Sequence, residues 1–334
     1  MQVRKHRAAL VAALATTAVV ATGCGSDGGS SSSGGAATQG ASGPKPVTIG
    51  ILVPSTTNPY WNALLSGARA QAAKMPGVKL NVQASSDDSD VPGGLAKLDA
   101  FQTKGVDAVA AVAYIGEPMR PKFEQLVAQK IPVVFLDTKV PDWDGETSFI
   151  ATDNFKGGEI AGAFIKQQLG GPGEVGFIEC SQKFQSCRDR VAGAKKALTG
   201  SGIKIDGPLD GDCNPNTTVS VTQDMLTAHP KIKMFYAGCG QSALGASTAL
   251  AKSGHHDVTV IGFDGAPDEL TAIGAGKQLA TVAQLPLKIG SLGVKNAVAA
   301  ARGESVPKQI SSGQVLVTKD NVAQFKADSQ DIDS

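Results

Sequence analysis

Short apolar runs alternate along the chain with longer segments in which apolar residues recur every three or four positions. The short runs are typical of buried strands, and the longer segments are typical of amphipathic helices. The predicted strands span 47–53, 79–84, 108–112, 133–136, 174–178, 204–205, 234–236 and 258–263. The predicted helices span 60–74, 95–104, 121–129, 158–169, 191–198, 219–228 and 243–252. This alternation predicts an α/β fold in which helices cover both faces of parallel sheets.

Two of the predicted strands end in a carboxylate. Asp264 follows the run Val-Thr-Val-Ile-Gly-Phe, and Asp137 follows the run Ile-Pro-Val-Val-Phe-Leu. Open α/β sheets place their ligands at the carboxyl ends of their strands. A segment rich in Pro, Asp and Gly at 139–148 separates two series of elements, which predicts two lobes that each present an acid to one cleft. The alternative is that each Asp only caps the turn or helix that follows it.

The N-terminal residues have the composition of a secretion signal. Three basic residues within the first seven positions precede an apolar segment at 8–20 that is too short to span a bilayer, and small residues then precede Cys24. A small-residue site that ends in Cys resembles a bacterial lipobox, which implies that Cys24 becomes the lipidated first residue of the mature protein. Ala21 departs from the Leu that is usual at its position. The alternative is an ordinary signal peptide with an incidental Cys.

The segment that follows Cys24 is almost entirely Gly, Ser and Ala, which is the composition of a flexible coil. We therefore predict a signal peptide at 1–23 and a tether at 24–44 that joins the folded region to a lipid anchor in the cell membrane. The 290 residues from 45 to 334 suffice for one large or two medium domains.

Charge and motifs exclude several classes of function. The chain has 31 Lys and Arg against 30 Asp and Glu, a net charge of +1, so nothing indicates binding to nucleic acid. The Gly pattern at 171–176 ends a predicted helix and opens a strand, which is the reverse of a dinucleotide site. No Cys-x-x-Cys spacing occurs, and no His is suitably placed for a Ser or Cys nucleophile. We therefore expect no metal, no cofactor and no catalytic residue.

Apart from Cys24 the chain has four cysteines, Cys180, Cys187, Cys213 and Cys239. An even number of cysteines in an exported chain predicts disulfides, and four cysteines allow three pairings. A bond between Cys180 and Cys187 would close a short loop before the helix that carries Arg190. The alternative is that all four are buried free thiols.

Six short motifs along the chain carry a resemblance to a known family. They are Asn-Pro-Tyr-Trp at 58–61, Leu-Asp at 136–137, Arg-Asp-Arg at 188–190, Leu-Thr-Ala-His-Pro at 226–230, Gly-Phe-Asp-Gly at 262–265 and Ala-Gln-Leu-Pro at 283–286. The chain after the tether resembles sugar-binding proteins of the ribose-binding type, which capture the solute for an ABC importer. The resemblance implies two Rossmann-like lobes with parallel sheets, the periplasmic binding protein type I architecture. It places three crossovers near 150–153, 284–285 and 312–314.

The resemblance also implies domain boundaries and site residues. The N-terminal lobe would comprise 45–150 plus 286–312, and the C-terminal lobe 153–283 plus 314–334. The implied ligand-binding residues are Asn58, Tyr60, Trp61, Asp137, Arg190, Asp264 and Gln284. Their chemistry agrees, because aromatic rings can cover the C–H faces of a sugar while carboxylates, amides and an Arg fork bind its hydroxyls. The alternatives are core packing for the aromatic residues, a surface helix end for Arg190 and a satisfied strand end for Gln284.

Several positions depart from the ribose-binding pattern. Thr138 stands where those proteins have Arg, and Tyr114 lies two residues after the position of an Asn. Cys213 and Cys239 replace a stacking Phe and a hydroxyl-binding Asn, and the alignment implies that they are close enough to form the second disulfide. Phe184 is a candidate replacement ring, and Tyr114 and Thr138 are further candidate ligand-binding residues. These changes predict a ligand other than ribose.

The sequence therefore predicts a tethered, monomeric receptor that binds a monosaccharide or related polyol and hands it to a permease with a cytoplasmic ATPase. A sensory receptor for a sugar or sugar-like signal is the main alternative. A transcriptional effector domain is disfavoured by the signal peptide and by the absence of a DNA-binding headpiece. A remote alternative is a sugar-acting enzyme in which Asp137 and Asp264 form an acid/base pair.

Overall fold

A computed structural model describes residues 45–87, 90–182 and 184–329 of the chain. The predicted signal peptide, the lipidation site Cys24 and the tether lie outside these residues. The described residues form two six-stranded sheets with helices packed against them. None of the helices in these ranges has both the length and the apolar character needed to cross a membrane.

The first lobe is built on a sheet with the strand order β11-β5-β4-β3-β1-β2. Its strands are β1 (Val47–Val53), β2 (Val78–Ala84), β3 (Ala108–Ala111), β4 (Val133–Leu136), β5 (Ser148–Ala151) and β11 (Gln309–Ser311). Its helices are α1 (Pro59–Ala73), α2 (Val91–Thr103), α3 (Arg120–Ala128) and α9 (Pro286–Ala301). All strand pairs in this sheet are parallel. Strands β3 and β4 are buried along their whole length, as expected for a parallel sheet covered on both faces.

The second lobe is built on a sheet with the order β12-β10-β9-β8-β6-β7. Its strands are β6 (Glu174–Glu179), β7 (Lys204–Asp210), β8 (Ile232–Ala237), β9 (Thr259–Asp264), β10 (Ala280–Gln284) and β12 (Gln314–Thr318). Its helices are α4 (Asn154–Leu169), α5 (Gln185–Leu198), α6 (Pro215–Ala228), α7 (Gly240–Ser253), α8 (Pro267–Gly274) and α10 (Val322–Asp328). The pairs are parallel except that β12 runs antiparallel to β10.

The chain passes between the two sheets three times. It leaves the first sheet after β5, returns to it after β10, and leaves it again between β11 and β12. The predicted fold class, two Rossmann-like lobes joined by three crossovers, is confirmed. The antiparallel pairing of β12 with β10 is an exception to the expected parallel sheets.

Several elements of the second lobe are longer than predicted, and α5 and β7 show the largest differences. Helix α5 begins at Gln185 rather than Val191, because its first turns are polar and give no apolar periodicity. Strand β7 continues through Pro208 to Asp210. A proline lacks the N–H needed in a central strand, but β7 is the edge strand of its sheet and tolerates it.

Helices α4 and α5 approach each other at backbone contact. A Cβ atom added to Gly158 would lie 2.1 Å from the carbonyl oxygen of Arg190, and one added to Gly193 would lie 2.0 Å from that of Phe155. No side chain fits between the two helices at these positions, so only Gly permits this approach. The contact brings the N-terminal turn of α4 close to Arg190 on α5.

Candidate ligand-binding site

The two predicted acids lie at the carboxyl ends of strands in different lobes. Asp137 directly follows β4, and Asp264 is the last residue of β9. Both have positive φ angles, 61° and 96°, which are uncommon for residues other than Gly and carry a conformational cost. The chain therefore turns sharply at each strand end, with the carboxylate at the turn.

Asp137 is bound by two hydroxyl groups of the first lobe. The Tyr60 hydroxyl donates to Oδ1 at 2.6 Å, and the Thr138 hydroxyl donates to Oδ2 at 2.8 Å. Burial raises the pKa of Asp137 above its usual range, against the lowering effect of these hydrogen bonds. Burial and the neighbouring Asp137 also raise the pKa of Tyr60 well above its usual value, so Tyr60 stays a donor.

Asp264 is bound by a cation and by backbone. Nη1 of Arg190 lies 3.1 Å from Oδ1 of Asp264, and the backbone N–H of Gly240 donates to Oδ2 at 3.1 Å. Arg190 also donates to Oδ1 of Asn154 and to the carbonyl of Gly238, both at 2.8 Å. Its guanidinium lies 3.9 Å from the centre of the Phe263 ring, a stacking arrangement that Arg favours. Two hydrogen bonds, an ion pair and an aromatic ring thus hold the Arg190 guanidinium in place.

Gln284 connects the two acids across the lobes. Its Nε2 donates to Oδ1 of Asp264 at 2.7 Å, and its Oε1 lies 3.3 Å from the Tyr60 hydroxyl. Gln284 ends β10 immediately before the crossover to α9. A continuous set of polar contacts therefore runs from one lobe to the other, and we call it the interlobe network. Its members are Tyr60, Asp137, Thr138, Asn154, Arg190, Asp264 and Gln284.

The other four predicted site residues have different surroundings. Asn58 is exposed and caps α1, its Oδ1 accepting from the backbone N–H of Tyr60 at 2.9 Å. Trp61 is buried with its ring edge-to-face against Tyr60, and its Nε1 has no hydrogen-bond partner among the described residues. Tyr114 is buried, and its hydroxyl contacts Ser85. Phe184 is exposed directly before α5.

Two side chains of the site were missed by the sequence analysis. Asn154 begins α4 just after the first crossover, and Phe263 lies beside Asp264 in the Gly-Phe-Asp-Gly motif. The crossover position was a signal for Asn154, because a polar residue at a predicted hinge lies near both lobes. Phe263 had no separate signal, since any apolar residue of a buried strand satisfies the same pattern.

A buried acid supports the turn that follows Asp264. Oε2 of Glu269 accepts from the backbone N–H groups of Gly265 at 3.0 Å and Ala266 at 3.1 Å, and Oε1 accepts from Gln278 at 2.8 Å. Burial, reinforced by the negative charge of Asp264, raises the pKa of Glu269 to about 8. Glu269 therefore holds a backbone turn of the site and titrates in an unusual range for a carboxyl.

The second lobe contains two disulfides. Cys180 is bonded to Cys187 and Cys213 to Cys239, with Cα–Cα distances of 5.5 and 6.0 Å. This is the pairing expected from the sequence. The sulfurs of Cys213 and Cys239 and a carboxylate oxygen of Asp264 lie within 4.8 Å of one another. Because the two sulfurs are bonded to each other, they offer no thiolate to a metal.

Comparison with known proteins places the chain in a family. The family of periplasmic binding protein domains matches residues 49–305, and the chain belongs to it. A ribose import binding protein of Escherichia coli is 32% identical over 273 residues, which cover 81% of this chain and 90% of that protein.

Solved structures agree with this assignment. An ABC transporter solute-binding protein of Mycobacterium smegmatis with bound glycerol is 30% identical, has a TM-score of 0.76 and aligns over 84% of this chain and 96% of its own. A carbohydrate transporter solute-binding protein of Agrobacterium radiobacter in complex with D-arabinose is 29% identical, with a TM-score of 0.75 and coverage of 85% and 98%. The chain is a binding protein and not an enzyme.

Proposed function

We propose that the chain is a lipid-anchored, extracytoplasmic solute-binding protein of an ABC importer. It captures a monosaccharide or related polyol between two closing lobes and delivers it, as a monomer, to a permease with a cytoplasmic ATPase. The interlobe network is the observation that carries the proposal. It gathers two carboxylates, an amide and a guanidinium from both lobes at one place.

The chemistry of the network fits a polyhydroxylated ligand. A sugar hydroxyl both donates and accepts, so it can donate to a carboxylate oxygen and accept from Gln284 or Arg190. The relative solvent-accessible surface is 22% for the Asp264 side chain and 7% for the Arg190 side chain, so the acid is the more accessible partner. Trp61 adds a ring and an unpaired N–H donor. The named relatives, which are described with ribose, D-arabinose and glycerol, support this ligand class.

Gln284 gives the proposal its mechanism. It ends β10 at a crossover and contacts both Tyr60 of the first lobe and Asp264 of the second. In the proposed mechanism, ligand hydroxyls join these groups, so that the closed arrangement gains hydrogen bonds that the open arrangement lacks. Ligand then shifts the population toward the closed state.

The lipid anchor rests on the sequence around Cys24 and on the Gly- and Ser-rich segment after it. Expression in a bacterial host fed a labelled fatty acid tests this part of the proposal. The wild-type chain is expected to carry the label and Cys24→Ala to carry none. Label on Cys24→Ala, or an unlabelled wild-type chain in a host that labels a known lipoprotein, would remove the anchor from the proposal.

Ligand capture is tested on the mature chain expressed without Cys24. A panel of pentoses, hexoses and polyols is screened by thermal unfolding, because a ligand that binds only the folded state stabilises it by about 2.7 kcal/mol at a hundredfold excess over its Kd. A positive ligand is followed by calorimetry and small-angle scattering. We expect one-to-one binding and a smaller radius of gyration with ligand. Absence of any shift across the panel would contradict the proposed ligand class.

A further inference from the structure

The four cysteines of the second lobe form one cluster at the carboxyl ends of its strands. Cys180, Cys187 and Cys239 are buried together, and Cys213 packs against them partly buried. Cys180 follows β6, Cys213 lies after β7, and Cys239 lies after β8. The two disulfides thus cover the carboxyl ends of three neighbouring strands, the edge of a sheet where ligands bind in this class of fold.

The Cys213–Cys239 bond is also adjacent to Asp264, the second-lobe acid of the interlobe network. Its sulfurs lie within 4.8 Å of a carboxylate oxygen of Asp264. The residue after Cys239, Gly240, donates its backbone N–H to the same carboxylate. A hydroxyl that donates to Asp264 must lie about 2.7 Å from it. If the ligand approaches Asp264 from the side of this bond, the carbon of that hydroxyl, or the next carbon of the ligand, comes within contact distance of sulfur.

A disulfide offers almost nothing to a hydroxyl group. It has no donor, and sulfur is a weak acceptor. The sulfur of Cys239 already lies 3.4 Å from the hydroxyl of Ser242. A ligand hydroxyl placed against this wall would lose its hydrogen bonds to water, whereas a methyl or methylene group would gain dispersion contacts there.

We propose that the Cys213–Cys239 disulfide is an apolar subsite and that the cognate ligand is a deoxy or methyl-bearing sugar. The deoxygenated carbon lies against the disulfide, one or two carbons from the hydroxyl that Asp264 binds. The inference rests on the proposed function of sugar capture and narrows its ligand class.

The test compares each deoxy sugar with its hydroxylated parent by calorimetry on the wild-type mature chain. The pairs are D-fucose with D-galactose, L-rhamnose with L-mannose, 2-deoxy-D-ribose with D-ribose and 5-deoxy-D-ribose with D-ribose. We expect at least one deoxy sugar to bind about tenfold or more tightly than its parent, the order of discrimination that an apolar wall gives against an added hydroxyl. If parents bind and each binds as tightly as or more tightly than its deoxy partner, the subsite is wrong although sugar capture stands. If none of these sugars binds but another hydroxylated sugar or polyol of the wider panel does, the subsite is wrong and sugar capture stands; if nothing in either set binds, both are overturned.

Two double variants locate the preference at the disulfide. Cys213→Ser with Cys239→Ser places hydroxyls in the wall, so the affinity ratio of deoxy sugar to parent should fall about tenfold or reverse. Cys213→Ala with Cys239→Ala removes the same covalent bond without adding hydroxyls, so any loss of rigidity should weaken both sugars alike and leave the ratio within about threefold. A serine variant that folds and keeps the wild-type ratio would overturn the assignment. The wild-type comparison decides the ligand class even if neither variant folds.

Discussion

Asp137 and Asp264 arise from the same sequence feature, a buried strand that ends in an acid, yet the two lobes surround them differently. Asp264 is paired with Arg190 and a backbone N–H. Asp137 is held by two neutral hydroxyls, and no basic side chain forms an ion pair with it in the described part of the chain. Burial accordingly raises the pKa of Asp137. Each acid therefore owes its electrostatic character to its bonding partners more than to its position at the end of a strand.

The two lobes also differ in how firmly the site is built. In the second lobe, backbone contact between α4 and α5 and two disulfides surround Arg190. In the first lobe, the acid depends on the side chains of Tyr60 and Thr138. We therefore expect substitutions in the second lobe to have the larger effects on binding, and the predictions below test this difference.

The largest expected effect is that of Arg190→Ala. The substitution removes the cation beside Asp264 and leaves a partly buried carboxylate without its charged partner, which costs several times more than a neutral hydrogen bond. We expect affinity for the cognate sugar to fall about a hundredfold in calorimetry. Arg188→Ala is the matched control, because Arg188 lies on the same helix but is exposed and bonds to Gln182 and Gln185. Equal losses in the two variants would show that the helix, and not the Arg190 contacts, matters.

The second prediction concerns the pH dependence of the second lobe. The pKa of Glu269 is about 8 in the folded protein, against an ordinary value of 4.5. Between these values the folded state holds a proton that the unfolded chain releases, so the contribution of Glu269 to stability is greatest at low pH and falls as pH rises through the folded-state pKa. In Glu269→Gln this decline should become shallower, by up to about 1.4 kcal/mol per pH unit. Urea unfolding at pH 5, 6.5 and 8 measures it.

Glu117→Gln is the control for that measurement. The hydrogen bond between Glu117 and Arg120 lowers the pKa of Glu117 below its ordinary value of 4.5. The contribution of this hydrogen bond to folding stability is therefore fully present above pH 4.5 and is lost only as the pH falls through the lowered pKa. The slope between pH 5 and 8 should therefore stay as in the wild type. An unchanged slope in Glu269→Gln would mean that another group causes the decline.

The sequence predicted the parts of the fold that depend on local pattern. Buried parallel strands appear as continuous apolar runs, so β1 and β4 were predicted with their observed bounds. Because each acid directly follows an apolar run, the sequence also placed Asp137 and Asp264 at the carboxyl ends of strands. The contact of Arg190 with Asn154 was beyond such reasoning, because it depends on Gly158 and Gly193 letting two helices meet, and isolated Gly residues in a helix pattern do not reveal what packs there.

The surroundings of two candidate aromatic residues were also beyond prediction from the sequence. Phe184 was a candidate replacement ring, and Tyr114 was a candidate ligand-binding residue. The Tyr114 hydroxyl contacts Ser85 and the backbone carbonyl of Asp90, and Phe184 lies exposed before α5. An aromatic residue at a strand or helix end can face a cleft, a loop or solvent, and periodicity does not distinguish these.

The third prediction compares two tyrosines of the first lobe. Tyr60→Phe removes the hydroxyl that donates to Asp137 and should weaken sugar binding about tenfold, since hydrogen bonds to charged groups contribute about 1.5–3 kcal/mol. Tyr114→Phe removes a hydroxyl bonded within its own lobe. It should lower stability but leave affinity within about twofold. The opposite ranking in calorimetry would move the candidate site from Tyr60 to Tyr114.

The smallest expected effect is that of Asn58, whose side chain caps α1 in the first lobe. Asn58→Ala removes the acceptor for the Tyr60 N–H and should lower stability by about 1 kcal/mol, the usual contribution of an N-cap. Asn58→Asp keeps a capping oxygen but loses the amide donor, so its stability should match the wild type within a few tenths of a kcal/mol. Because the side chain is already engaged as a cap, affinity for the cognate sugar should change less than about twofold in both variants. Chemical unfolding and calorimetry on the same samples separate the two roles. A tenfold loss of affinity in Asn58→Asp with unchanged stability would show that the amide binds ligand, and the candidate site would then extend to the N-terminus of α1.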